Sequence, residues 1–267
     1  MYSLLPFFLL SSSHAQNAAI DGVNAAAQAT PPFTFASGGF DWSGLCTTGR
    51  SQSPIDLYTS GTVPISDSSF SPLSLDVPVQ VMSEVDFQIY PIYLGNGTLN
   101  VVLEGNTLDL ALIGVHIHIP AVHLIDGIRY AMEMHINFYP IAINPTIQEF
   151  TLALLFQHGL AHPFIESLLD ADLTDFSTLL STPVQDYFYY SGSRDVPAPD
   201  CVEPVLYVIP NQVFEVAVDQ LQAVVTGADA RALAAAGFHG LYREPQPLNG
   251  RTVYHRVPDL QSTQSVF

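Results

Sequence analysis

Between residues 99 and 112 apolar and polar side chains alternate with the two-residue period of a β-strand, and residues 73–93 carry a similar alternation. Phe150 to Phe156 is an apolar run broken only by Thr151, which suits a strand covered on both faces. Helical periodicity is scarce. Pro163–Leu169 and Ala217–Val225 are the best candidates, the second followed by Gly227 as a stop. Short runs rich in Val, Ile, Phe and Tyr, punctuated by 20 Pro and 17 Gly, predict many short strands joined by long loops. We read residues 33–258 as one globular domain, residues 16–32 as an Ala-rich lead and residues 259–267 as a polar tail.

One alternating segment carries chemistry as well as fold. His116-Ile117-His118 is followed by Glu133-Met134-His135, and side chains two apart on a strand share a face. If Val115–Ile119 pairs antiparallel with Ile128–Asn137 about a turn near Asp126-Gly127, a symmetric register sets His116 opposite His135 and His118 opposite Glu133. Three neutral imidazoles with one open position make a catalytic zinc site, and a ligating histidine needs a carboxylate or carbonyl to orient its other ring nitrogen. Glu133 is placed for that task. The plainer alternative is that the alternation decorates the solvent face of an edge strand.

The charge balance narrows the partners. Twenty-five acidic residues stand against seven arginines and no lysine, a formal net charge of −18, which argues against nucleic acid. Such a surface serves solubility, or suits a protein that lives among cations in saline or calcium-rich surroundings. No apolar run approaches the roughly 20 residues that a membrane-spanning helix requires. Residues 1–15 are read as a signal peptide, an apolar stretch from Leu4 to Leu10 followed by small residues and a cleavage position after Ala15. Asn96-Gly97-Thr98 is a glycosylation acceptor, so the chain reads as exported to a secreted or lumenal, oxidising compartment. Cys46 and Cys201 are the only cysteines, and their spacing admits a bridge or two buried thiols.

Asp41-Trp42-Ser43, Gln52–Asp56, the histidine hairpin, Tyr187–Ser193 and Tyr242–Arg251 follow one another between Phe40 and Arg256, and this order of motifs resembles the α-carbonic anhydrases. Asp41-Trp42-Ser43 with Cys46, and then Gln52-Ser53-Pro54-Ile55-Asp56, carry the N-terminal part of the resemblance. The histidine hairpin carries the middle, running on through Asp126-Gly127 and Tyr130-Ala131-Met132-Glu133-Met134-His135. Tyr187–Ser193 is similar to the segment before the family's gatekeeper threonine, and Tyr242–Arg251 to its closing motif. The resemblance implies a mostly β domain with a central twisted, largely antiparallel sheet of about ten strands and a few short helices. It implies zinc held by His116, His118 and His135, Glu133 orienting one of them, and a bridge between Cys46 and Cys201. It also implies carbon dioxide and bicarbonate as substrates, attacked through a zinc-bound water whose pKa falls to about 7.

This sequence departs from the family where the reaction is steered. The gatekeeper threonine, which passes a hydrogen bond to a buried glutamate, is Asp195, and the glutamate is Val122. An ionised Asp195 has no proton to pass on. Either it supplies a fourth zinc ligand and closes the site, or it sits in a rearranged loop and points to solvent, since residues 196–200 form a longer connection than the family's. Gly114 replaces the glutamine that orients the first ligand, so His116 is expected to use a backbone carbonyl or water. Asn137 and Arg194 stand where apolar residues line the carbon dioxide pocket, and a guanidinium there must turn to solvent or pair with an acid. The proton-shuttle histidine is missing, with Gly97 or Thr98 near its place. His123 matches a bracing histidine. His158, His162, His239 and His255 default to surface or loop roles, although His158 or His162 is a conceivable shuttle.

Two functions from different classes follow. One is a zinc protein whose carbon dioxide hydration is weak or lost, serving a structural role in protein assembly or a cation-rich mineral or matrix setting. The other is an active zinc lyase interconverting carbon dioxide and bicarbonate.

Overall fold

The structure is a computed structural model. It describes residues 33–65, 70–73, 75, 80–81, 92–93, 97–142, 147–170, 173–174, 176, 179–180, 182–196, 201–227 and 240–258. The expected signal peptide, Ala-rich lead and polar tail lie outside the described residues, as do Asn96, His239 and most of residues 73–93.

The strands in chain order are β1 Asp56–Leu57, β2 Val63–Ile65, β3 Gln80–Val81, β4 Ile92–Tyr93, β5 Thr98–Leu103, β6 Asn106–His118, β7 Leu124–Ile125 and β8 Ile128–Arg129. They continue with β9 Met132–Pro140, β10 Glu149–His158, β11 Leu173–Thr174, β12 Tyr187–Gly192, β13 Val205–Pro210, β14 Phe214–Val216 and β15 Tyr254–Arg256. Ten of them form one sheet in the order β2-β15-β12-β13-β10-β9-β6-β4, with β14 beside β10 and β5 beside β6. Most pairings are antiparallel, but β10 runs parallel to β13 and β14, and β15 parallel to β2, so the sheet is mixed. Mostly β with a few short helices is therefore the fold class.

Strand β10 holds the apolar run and sits between β9 and β13, buried from Glu149 to Phe156. The helix Pro163–Leu169 has the bounds the sequence predicts, and the second helix is Val218–Gly227, which takes in Gly227 as its last residue. The alternating stretch 99–112 is a hairpin rather than one strand. Glu104 and Gly105 both take positive φ (53° and 74°) between β5 and β6, as a tight hairpin turn of the primed kind requires.

The expected turn at Asp126-Gly127 exists, but it closes the small hairpin of β7 and β8, which pairs with β1 in a separate three-stranded sheet. The strand partnered with β6 accordingly begins at Met132, not Ile128.

The register of the long pair is the expected one: His116 faces His135 and His118 faces Glu133. A bulge between Leu112 and Gly114 makes this face available. Leu108, Leu110 and Leu112 point into the larger core, and without the extra residue His116 and His118 would follow them there. Beyond the bulge Val115 and Ile117 take over the core side, so Gly114, His116 and His118 turn to the opposite face. On β9, Met132, Met134, Ile136 and Phe138 fill the same core, leaving Glu133, His135 and Asn137 beside the histidines of β6.

Candidate metal centre

Four side chains converge on this face: His116 and His118 from β6, His135 from β9, and Asp195 from the loop after β12. Asp195 Oδ2 lies 2.8 Å from His118 Nε2 and 3.6 Å from His135 Nδ1, and His135 Nδ1 lies 3.1 Å from His116 Nε2. His118, His135 and Asp195 are buried, while His116 keeps some exposure. The solvent-facing alternatives, for the hairpin and for Asp195, are thereby set aside.

The ring tautomers follow from the second nitrogens. His118 Nδ1 donates to the Leu241 carbonyl at 2.8 Å, and His135 Nε2 donates to Glu133 Oε1 at 2.6 Å. The nitrogens that remain, His118 Nε2 and His135 Nδ1, carry lone pairs aimed into the cluster. His118 Nε2 and Asp195 Oδ2 are in close approach, yet neither has a hydrogen-bond partner. Buried lone pairs facing one another repel unless a cation lies between them. A tetrahedral ion bonded at about 2.0–2.1 Å sets its ligand atoms about 3.3 Å apart, and the observed separations scatter around that value. The residues present therefore fit a metal ion.

The electrostatics of the protein groups alone couple Asp195 to the imidazoles: against burial, Asp195 raises the His118 pKa above its usual value, a preference for the proton that a cation bound at the same nitrogen would replace. Burial alone would raise the Asp195 carboxyl, but His118 and His135 beside it hold it well below the usual carboxylate range. Burial, with His135 and His118 adjoining, drives the His116 imidazole well below its usual value and keeps it neutral, as a ligand must be.

Glu133 is fully buried and accepts four hydrogen bonds. Its Oε1 takes the ring N–H groups of His123 and His135, both at 2.6 Å, and its Oε2 takes the backbone N–H groups of Val122 and His123. His123 Nε2 accepts from the Tyr190 hydroxyl at 2.6 Å, so this histidine braces the site as expected. Val122 meets Glu133 only through its backbone and offers no side-chain acceptor behind Asp195.

The loop bearing Asp195 is pinned. Ser53 and Ser193 exchange two hydrogen bonds, N–H to Oγ each way, and Tyr207 donates to the Ser193 carbonyl. A bridge joins Cys46 to Cys201, as the resemblance implied. Arg194 does not face solvent alone: its Nε donates to Glu149 Oε2 at 2.7 Å and its second terminal nitrogen to the Tyr139 hydroxyl at 2.8 Å. Asn137 donates to Glu149 Oε1 and Thr151 Oγ1. Of the two partners expected for His116, the backbone carbonyl is not found: its Nδ1 meets no protein acceptor. Glu149, the Leu241 carbonyl and Tyr190 were not singled out as site residues from the sequence. The Leu241 carbonyl and Tyr190 reach the site from segments far away in the chain, whereas Glu149 stands on the neighbouring strand β10 and left a visible trace as one charge at the head of an apolar run.

The family model of the eukaryotic-type carbonic anhydrases matches residues 37–257. The chain belongs to this family. Among its relatives, alpha carbonic anhydrase 3 of Arabidopsis thaliana is 27% identical over 228 residues, covering 80% of this chain and 76% of the relative. Carbonic anhydrase 1 of Mus musculus is 30% identical over 247 residues, covering 79% and 92%. Among solved structures, the halotolerant carbonic anhydrase of Dunaliella salina superposes with a TM-score of 0.67 at 23% identity, covering 84% of this chain and 98% of that one. Dioscorin complexed with ascorbate also superposes with a TM-score of 0.67, at 22% identity, over 85% and 99%. Those two likenesses establish the carbonic anhydrase fold for this chain. The histidine triad stands on it as a site able to hold a metal, with the Asp195 carboxylate beside it.

Proposed function

We propose that this chain is an exported zinc-holding carbonic anhydrase relative whose site Asp195 closes, so that carbon dioxide hydration is weak or lost and the metal serves the fold. His116 Nε2, His118 Nε2, His135 Nδ1 and Asp195 Oδ2 would hold the ion. Bound by four protein atoms, zinc supplies folding energy rather than Lewis-acid chemistry, which needs an open position. The observation that carries this reading is Asp195 Oδ2 lying 2.8 Å from His118 Nε2, inside the triad.

The surroundings support it. Where a non-polar substrate would need an apolar wall, Asn137, Thr151, Glu149, Arg194 and Tyr139 form a hydrogen-bonded polar network. The bridge between Cys46 and Cys201 supports an oxidising compartment. No helix among the described residues is long and apolar enough to cross a membrane. The net charge of −18 supports a role in assembly or in a cation-rich matrix.

A second reading, an active lyase on carbon dioxide and bicarbonate, is favoured by one observation: the imidazoles and Glu133 form a complete three-histidine site. Stopped-flow hydration separates the two. The closed site predicts a wild-type rate at the buffer background, no response to a sulfonamide, and a measurable rate in Asp195→Thr that grows when Val122→Glu is added. Wild-type hydration well above background, abolished by a sulfonamide, would overturn the closed-site reading.

A further inference from the structure

We infer that Asn137, reaching across from β9, is the positioning residue for His116, doing from the neighbouring strand what no side chain on β6 can do. The register sets Gly114 directly opposite Asn137, and Gly114 lies two residues before His116 on the same face. The β6 strand thus offers the ring no partner of its own there.

The Asn137 amide is oriented from the other side. Its Nδ2 donates to Glu149 Oε1 at 2.8 Å and to Thr151 Oγ1 at 3.1 Å, both on β10. A carboxylate accepts only, so the amide cannot be turned the other way round. Strand β9 lies between β10 and β6, so with its nitrogen held toward β10 the amide presents Oδ1 toward β6. Glu149 is itself fixed by Arg194 at 2.7 Å, which makes the amide's anchor rigid.

Two orphaned atoms remain. His116 Nδ1 and Asn137 Oδ1 are both buried and both lack a hydrogen-bond partner. Outside the converging ligand atoms, Asn137 Oδ1 is the one buried side-chain acceptor in that state among the described residues. A neutral imidazole that ligates through Nε2 must carry its proton on Nδ1, and a buried N–H demands an acceptor. Closing the gap between these two atoms would satisfy both and fix the first imidazole for the metal.

The inference rests on the reading of the triad as a zinc site, and the test separates the two. Zinc affinity is measured by chelator competition on the full chain, alongside nitrogen-15 NMR of the His116 ring in the zinc form. The wild type should show a slowly exchanging proton on His116 Nδ1. Asn137→Val should weaken zinc binding about 10- to 100-fold and abolish that slow proton. Adding Gly114→Gln to Asn137→Val should restore both, since glutamine can reach the ring from its own strand. Wild-type affinity and an unchanged ring proton in Asn137→Val would overturn the inference alone. A loss of affinity that Gly114→Gln leaves uncorrected would overturn it too, assigning Asn137 to packing. A wild-type chain that takes up no zinc would overturn the site reading and this inference together. If Asn137→Val fails to fold, the wild-type spectrum still decides, because a rapidly exchanging His116 Nδ1 proton contradicts the bond.

Discussion

Glu133 shows how far one side chain can set the chemistry of its neighbours. Two ring N–H groups and two backbone N–H groups all point at its carboxylate, and each of these donors is buried. Burial alone would raise its pKa, but the imidazoles of His123 and His135 hold it well below the usual range, so it stays an acceptor with no proton of its own. Glu133→Gln changes little in shape, yet it sets an NH2 group against donors that need lone pairs. We expect a stability loss of about 3 kcal/mol in urea denaturation. Zinc affinity should fall about 10- to 100-fold in chelator competition, because His135 loses the partner that fixes its tautomer. Equal stability and equal affinity in the variant would show that the four contacts carry no such weight.

At the level of elements, the helix Pro163–Leu169 depends on a histidine in an unusual post. His162 is its N-cap, accepting the Phe164 backbone N–H on its ring Nδ1 at 3.3 Å, and burial lowers its pKa below 6.5. Only the neutral ring can accept, so the cap's contribution is complete above the unfolded-state value and is lost as pH falls through the lowered folded value. His162→Asn keeps an acceptor that does not titrate. The wild-type melting temperature should therefore drop more steeply than the variant's between about pH 7 and pH 5, and parallel curves would contradict the cap's protonation. The helices Pro163–Leu169 and Val218–Gly227 were legible from their apolar spacing, though the single turn Leu45–Thr48 was not, and the register of β6 with β9 was legible from two-residue alternation taken with a turn near Asp126-Gly127. The break at Ile128–Arg129 was not, because a two-residue strand in a separate small sheet leaves no periodicity of its own. The bulge left a trace that alternation could have revealed: apolar positions run 108, 110, 112 and then 115, 117, a change of phase between Leu112 and Val115. Asp195 owed its interest to the family resemblance, since nothing within the Tyr187–Cys201 segment announces a ligand. The Leu241 carbonyl and the Glu149–Arg194 pair depend on contacts between distant segments, which spacing along the chain cannot carry.

Across the whole molecule, three remote segments are tied together by one buried arginine and one disulfide. Arg243, fully buried, donates to the Gln52 side chain and to the carbonyls of Ser53 and Cys46, while Gln52 Nε2 donates to the Cys201 carbonyl at 3.1 Å. The bridge from Cys46 to Cys201 spans 155 residues of sequence and joins the same knot, where Trp42, Phe33 and Phe35 pack around it. Closing so long a loop removes about 5 kcal/mol of unfolded-state freedom in the chain-entropy model. Replacing both cysteines by serine should lower the melting temperature by about 10–20 °C in a chain of this size. Val202, next to Cys201, accepts the Arg194 backbone N–H at 3.0 Å, so on the proposed four-ligand site the loss of the bridge should loosen Asp195 and weaken zinc binding. Linkage then requires the reciprocal effect: zinc must stabilise the bridged protein more than the serine variant, by the free energy that corresponds to the change in affinity. Calorimetry of both forms, with and without zinc, measures all four corners of that cycle. A lowered melting temperature with unchanged zinc affinity would confine the bridge to the unfolded state and separate it from the site. A joint loss of stability and affinity would show that the knot positions Asp195.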